Sequence, residues 1–219
     1  MSADHPVGAG HPVGAGYDVR VRHERFRGAV FSVLTDEVRM PDGRYVDRDY
    51  AIHVGAVGAV AVDEQDRVVL VRQYRHAVGG YLWELPAGLI DVAGEDLADA
   101  AARELAEEAD LGAGHWQFLV DAHTSPGYSN EVIRLYLARE LTEVPEADRH
   151  EREGEEAELT VRRVPLDEAA AMAFRGEITN AACLVGILAA VRLRDTGWPA
   201  TRPADTPLPR RELAPVAPS

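Results

Sequence analysis

Residues 96–109, Asp-Leu-Ala-Asp-Ala-Ala-Ala-Arg-Glu-Leu-Ala-Glu-Glu-Ala, read as the clearest helix in the chain. Asp96 suits an N-cap with Asp99 three residues on, and the alanine-rich body has high helix propensity. At 3.6 residues per turn, Ala98, Ala101, Ala102, Leu105 and Ala109 form one apolar stripe. Glu104 and Glu108 lie one turn apart, with Glu107 three residues beyond Glu104, so three carboxylates crowd one face. Unneutralised like charges at this spacing cost about 0.2–0.5 kcal/mol per pair, which a purely structural helix has little reason to accept. A hard divalent cation supplies a reason, because Mg²⁺ is held by one or two carboxylates plus water and substrate oxygens. Taken by itself, the helix leaves two readings open, and a solvated acidic face is the commoner fate of such a run.

The helix sits in a chain that alternates strand and helix signals. Residues 17–38 carry β-branched alternation, and Pro41-Asp42-Gly43 marks a turn before Tyr45-Val46, as in an antiparallel strand set. Apolar stretches at 53–62 and 67–74 flank a hairpin-length loop at 63–66. Further strands are expected at 116–122, 132–138 and 159–164, and helices at 166–175 and 178–194. The class is therefore α/β or α+β with a mixed sheet. Residues 17–52 are expected to form an N-terminal β extension and 53–197 the main domain. A tandem hexapeptide, His5-Pro6-Val7-Gly8-Ala9-Gly10 repeated at 11–16, has no apolar face to bury and reads as a flexible leader. From Trp198 the chain is dense in proline, so 198–219 is expected to be a disordered tail.

Composition excludes several classes of partner. The formal charge is −14 and every basic residue other than histidine is arginine, which argues against a nucleic-acid backbone as ligand. The single Cys183 cannot make an internal disulfide or a thiolate zinc site, so a reducing cytoplasm is the simplest compartment. There is no apolar run of the ~20 residues that a membrane-spanning helix needs, and no signal-peptide pattern at the N-terminus. A soluble, cytoplasmic protein is expected.

The segment before the helix decides between its two readings. Gly88, a loop with Glu95, and then Arg103-Glu104-Leu105-Ala106-Glu107-Glu108 resemble the Nudix box, with Leu111 at its final aliphatic position. Two departures stand out. Six residues separate Gly88 from Glu95 where the family has five, and Asp110 stands where the family has glycine. The first lengthens a loop by one residue at little entropic cost. The second falls where a helix C-terminus favours a left-handed residue, a conformation aspartate adopts less readily than glycine. Neither removes a carboxylate. The resemblance implies a Nudix-type α/β/α sandwich with a mixed sheet, extended by the N-terminal antiparallel strands. It also implies a metal site in which the Ala87 carbonyl, Glu104 and Glu108 bind Mg²⁺, with Mn²⁺ as the alternative. Glu107 would assist or bridge, and Arg103 would orient the glutamates.

Flanking residues narrow the resemblance. Gln73-Tyr74-Arg75, the run from Trp83 and Glu84 to Gly88, and Ser125-Pro126-Gly127-Tyr128 look like the ADP-ribose pyrophosphatase subgroup, which has a proline about sixteen residues beyond the box. Arg72 or Arg75 would grip phosphate or ribose through paired donors. Trp83, Glu84, Pro126 and Gly127 would line the substrate site. The subgroup implies hydrolysis of ADP-ribose to AMP and ribose 5-phosphate, a homodimer in which Arg44, Tyr45 or Arg48 reaches the neighbouring site, and a glutamate base from a loop before the last strand. In residues 146–158 that base is expected at Glu156, with Glu155 as the alternative. Other nucleoside diphosphate derivatives remain alternative substrates. A non-catalytic Nudix-fold ligand sensor is disfavoured by the intact glutamates.

Overall fold

The computed structural model describes residues 17–92, 94–152 and 154–209, the side chains of Glu155 and Glu156 excepted. The strands and helices run β1 (Val19–Arg27), β2 (Phe31–Arg39), β3 (Tyr45–His53), β4 (Ala56–Ala61), β5 (Arg67–Arg75), β6 (Gly80–Glu84), β7 (Ala87–Leu89), α1 (Leu97–Ala109), β8 (Leu111–His123), β9 (Val132–Glu143), β10 (Thr160–Pro165), α2 (Leu166–Phe174) and α3 (Ala181–Asp195). The central sheet has the order β7-β4-β9-β8, with β4 parallel to β9 and the other pairs antiparallel. A second sheet, β10-β5-β6, and the N-terminal sheet, β1-β2-β3, are antiparallel throughout.

Period-two alternation explains the layers. Val57, Ala59 and Ala61 of β4, with Tyr136 and Ala138 of β9, pack on Ala100, Ala101, Leu105 and Ala109 of α1. Their neighbours Val60, Val62, Leu135 and Leu137 face the other way, against α2 and α3. Both faces are covered, so β4 is buried along its length and β9 is apolar from Leu135 to Ala138, as strands between two helical layers must be where they are covered. Close approach is built into this packing at Gly186 of α3, where a Cβ would stand 2.6 Å from Leu85 Cδ1 and 2.9 Å from Val60 Cγ2. The α/β sandwich with a mixed sheet and an N-terminal antiparallel extension is therefore the architecture observed.

Four local differences from the expected pattern have physical causes. β6 and β7 are strands that the sequence does not announce, because the Glu84-Leu85-Pro86 corner between them breaks any periodicity. β8 starts at Leu111, directly after α1, and β9 continues to Glu143, since pairing between the two strands extends across polar residues that carry no apolar signal. The buried face of α1 is Ala100, Ala101, Leu105, Glu108 and Ala109, whereas Ala98 and Ala102 are only half-buried. Glu108 joins that face where α1 meets β7, its carboxylate accepting from the Ala87 amide.

The fourth difference is the tail. The expectation of disorder from Trp198 fails as far as Pro209, where the chain lies along β8 and β9. Gln117 Nε2 donates to the Pro199 carbonyl at 2.9 Å, the Thr201 hydroxyl to the Phe118 carbonyl, and the Tyr136 hydroxyl to the Ala204 carbonyl at 3.3 Å. Proline removes an amide donor but leaves its carbonyl, so a proline-rich strap can be held by side-chain donors reaching from a sheet. The leader 1–16 and residues 210–219 lie outside the described residues. Among the described residues no helix is long and apolar enough to cross a membrane.

The β4–β5 connection yields a pH prediction. Asp63 is buried and its carboxylate accepts from the Gln65 amide at 3.0 Å, the Arg67 amide at 2.9 Å and Arg67 Nε at 2.8 Å. Burial pushes its carboxyl up, but the Arg67 guanidinium and the two amides outweigh burial and hold it below 3.8. A depressed folded value contributes stability above the unfolded value, and that contribution is lost as pH falls through the folded one. Asp63→Asn is therefore expected to be less stable than the wild type near neutrality, with the gap closing as pH drops below about 4. Urea unfolding at several pH values checks this, and a gap that widens in acid contradicts it.

Candidate active site

The acidic helix meets the loop before it at a distance only glycine permits. A Cβ on Gly88 would lie 2.1 Å from Glu104 Oε1, so the missing side chain lets the Glu104 carboxylate rest against the β7 backbone. One turn further, Glu108 is 6% exposed and its Oε2 accepts from the Ala87 amide at 3.0 Å. Ala87, Gly88, Glu104 and Glu108 thus face one another across the β7–α1 contact. The helix is held in this register by Asp96, whose side chain caps the Ala98 amide at 2.8 Å.

Arg103 ties the remaining carboxylates together. Its Nε and Nη2 each donate to Glu95 at 3.2 Å, and its Nη1 donates to Glu104 at 2.7 Å and to Glu107 at 3.3 Å. The Glu95 contact raises the guanidinium pKa most; partial burial opposes it, and Glu104 and Glu107 add to it. Arg103 is permanently charged, and it orients the glutamates while Glu95 orients it. Among the described residues no three His, Cys, Asp or Glu side chains converge as a closed metal cage. The donors do fit a hard divalent cation, because Mg²⁺ takes one or two carboxylates and keeps several waters. The Gly88 cradle leaves the Glu104 oxygens beside a backbone that no side chain fills.

The other expected residues fall into two groups. Arg75 donates from Nε and Nη2 to the buried Glu84 at 2.9 and 2.7 Å, and Gln73 approaches the same carboxylate at 3.5 Å. Arg72 lies 4.9 Å over the Tyr81 ring, and Trp83 packs against the α3-side core. Pro126 and Gly127 belong to a different wall. They line a cleft of about 730 Å³ with Asp36, Arg48 and Tyr50 of the N-terminal sheet, and Arg103 and Glu107 are not part of that lining. The loop is pinned to β3 there by the Ala51 amide on the Tyr128 carbonyl at 2.7 Å and the His53 amide on Asn130 Oδ1 at 2.8 Å.

Residues 146–158 form two short 3₁₀ turns, Glu146–Asp148 and Gly154–Glu158. Glu155 and Glu156 have side chains outside the described set. Asp148, Arg149, His150 and Glu151 line a cleft of about 480 Å³ with Arg103, Ala106 and Glu107, so this acidic loop does lie along the helix. Sequence reasoning missed three contacts around it. Tyr81 donates its hydroxyl to Glu158 at 2.7 Å, and Arg152 reaches both the Glu107 carbonyl and Asp110. An arginine set between two glutamates, Glu151 and Glu153, was the available signal for Arg152.

Comparison with known proteins supplies independent findings. A family model described as the NUDIX domain matches residues 52–182. A protein of Mycobacterium tuberculosis named ADP-ribose pyrophosphatase is 49% identical over 179 residues, covering 82% of this chain and 84% of that protein. A Bacillus subtilis protein of the same name is 30% identical over 161 residues, covering 73% and 84% respectively. A crystal structure titled ADP compounds hydrolase superposes with a TM-score of 0.68 at 25% identity, covering 84% of this chain and 97% of that one.

Proposed function

Because the chain belongs to the Nudix family and is a Nudix pyrophosphohydrolase, we propose that it hydrolyses the pyrophosphate bond of ADP-ribose, releasing AMP and ribose 5-phosphate. Similarity to the M. tuberculosis protein across most of both chains carries the substrate assignment. The facing Glu104, Glu108 and Gly88 support a divalent requirement, met by Mg²⁺ or Mn²⁺. A bound cation would screen the pyrophosphate and lower the pKa of the attacking water.

The protein's own groups then divide the work. Glu104 and Glu108, with the backbone at Ala87, would hold the cation, and Glu107 would assist them. Arg103 fixes the directions of Glu104 and Glu107 so that little reorganisation is needed when charge develops. Arg75, braced on buried Glu84, and Arg72, stacked on Tyr81, place guanidinium groups for the substrate's phosphate or ribose. Trp83 closes the wall behind them. Glu156, or Glu155 beside it, takes the proton from water. Pro126 and Gly127 with Arg48 shape the second cleft, which receives the far end of the substrate.

The same reading includes a homodimer built on the N-terminal sheet. Exposed Phe26, Phe31 and Tyr45 on that sheet support it, as solvated aromatics in one extension favour burial against a partner. Within one chain Arg44 pairs with Asp42, Arg20 lies 4.1 Å over the Tyr45 ring, and Arg48 donates to the Asp47 carbonyl. A cytoplasmic location goes with this reading. A second substrate class is favoured by the likeness to the ADP compounds hydrolase structure, namely ADP derivatives more broadly.

The test is hydrolysis of a panel comprising ADP-ribose, a nucleotide sugar and a dinucleoside polyphosphate, with and without Mg²⁺, the products identified by mass. ADP-ribose is expected to give the highest kcat/KM, and chelation is expected to abolish the reaction. Cleavage of another panel member with ADP-ribose left intact would refute the substrate assignment.

A further inference from the structure

Asp110, the residue that replaces glycine at the end of the box-like helix, has acquired a partner. It occupies the left-handed region at φ 56° and ψ 36°, the conformation glycine would take there, and its amide still closes the helix on the Ala106 carbonyl at 3.1 Å. Its own carbonyl accepts from the Val144 amide at 2.9 Å, where the chain leaves β9. Its carboxylate accepts from Arg152 Nη2 at 2.7 Å, and Arg152 Nε donates to the Glu107 carbonyl at 2.8 Å. The excursion from Val144 to Arg152 therefore begins and ends on one residue.

That closure has energetic weight and a direction. The last turn of α1 contains no basic residue, so Arg152 supplies from outside the positive charge that the helix carboxyl end favours, and it satisfies an otherwise orphan carbonyl. Arg152 and Asp110 are about four-fifths buried, with side-chain exposures of 21% and 20%, so the pair is shielded better than a surface ion pair. Between the two attachments, residues 148–151 are laid along Arg103, Ala106 and Glu107. On the far side, Glu158 is fastened to Tyr81, whose ring also carries Arg72. The acidic loop is thus hung between the helix end and the arginine-bearing strands.

We propose that Arg152 is a positioning residue, which by closing on Asp110 and the Glu107 carbonyl holds the acidic loop against the Arg103–Glu107 side of the helix, where the loop serves the hydrolysis. This role rests on the hydrolase reading given above. Asp at the glycine position is then a functional exchange, trading backbone ease for an anchor.

The test compares wild type with Arg152→Ala, Arg152→Lys, Asp110→Gly and the Arg152→Ala/Asp110→Gly double variant. Glycine suits the left-handed position, so Asp110→Gly removes the anchor without straining the helix end. Turnover of the substrate panel is measured together with amide hydrogen exchange across residues 144–159. Arg152→Ala and Asp110→Gly are each expected to lower kcat about tenfold with KM within about twofold, the signature of an interaction used after binding. The double variant is expected to be no worse than Arg152→Ala, because the two residues act as a unit. Arg152→Lys is expected to recover part of kcat, and loop amides are expected to exchange faster in both single variants. Unchanged exchange overturns the fastening. Faster exchange with unchanged kcat, or a raised KM at constant kcat, overturns the positioning role. A wild type that cleaves no panel member overturns the hydrolase reading instead, a result separable from fast wild-type turnover matched by the variants.

Discussion

Glu108→Gln is expected to reduce turnover of ADP-ribose by roughly two orders of magnitude, about 2.7 kcal/mol of transition-state stabilisation, without unfolding the protein. Glu108 is buried at the β7–α1 contact and accepts from the Ala87 amide, so a truncation there would confound lost charge with a cavity. Glutamine keeps the volume and retains an oxygen for the Ala87 amide. What it loses is the negative charge, and a hard cation held by only one or two carboxylates depends on each of them. The loss is therefore expected in kcat even at high Mg²⁺, with the thermal midpoint shifted by no more than a few degrees. Replacing a charge that sits one turn from Glu104 also removes a like-charge repulsion of a few tenths of a kcal/mol, so slight stabilisation is compatible with the assignment. Wild-type turnover at saturating Mg²⁺ would remove Glu108 from the site.

Arg134→Ala is expected to be the most destabilising single substitution in the central sheet, costing about 3–5 kcal/mol. Arg134 is 1% exposed near the start of β9. It donates to Asp121 through Nε at 2.8 Å and Nη2 at 3.0 Å, and to the Thr206 and Pro207 carbonyls of the C-terminal strap. Burial works against its charge, but the Asp121 contact outweighs that, and the guanidinium pKa is raised. Alanine would leave Asp121 buried beside a void and would free the strap from its central donor. Arg202, 3.8 Å from Asp121, offsets part of the loss. For a domain of this size the midpoint should fall by roughly 10 °C. Limited proteolysis is then expected to cut within 198–209 in the variant and to spare that segment in the wild type, where side-chain donors of the sheet hold it. Replacing both partners, as in Arg134→Met with Asp121→Leu, should recover much of the stability, because the cost lies in the uncompensated charge. A single-variant loss below about 1 kcal/mol would show that the pair does not hold the strap.

These two residues mark the limits of reading the chain in one dimension. Glu108 was legible because the information is local. Helix period and propensity place Glu104, Glu107 and Glu108 on one side of α1, and the observed α1 begins one residue after the expected cap at Asp96. The apolar strands β4, β5, β8 and β9 were legible in kind for the same reason, as was the mixed-sheet class. Arg134 was not legible as anything but an oddity in an apolar strand, since its partners lie 13 and more than 70 residues away. The strap was misread because proline content reports on the lack of donors and says nothing of acceptors. Whether those carbonyls find donors depends on a sheet assembled from other parts of the chain.

Sequence by itself determined the helix, its carboxylates, the spacing from Gly88 and Glu95, and hence the family resemblance that the comparisons support. Tertiary structure decided why Gly88 must be glycine, since the reason is an approach of Glu104 across the β7–α1 contact. It decided that Arg75 is braced on Glu84, that Pro126 joins a cleft with Arg48, and that Asp110 serves as an anchor for Arg152. The physical division is one of range. Propensity and periodicity act over a few residues and can be read along the chain. The pairing of buried charges and the satisfaction of distant carbonyls exist only once the sheets have brought remote segments together.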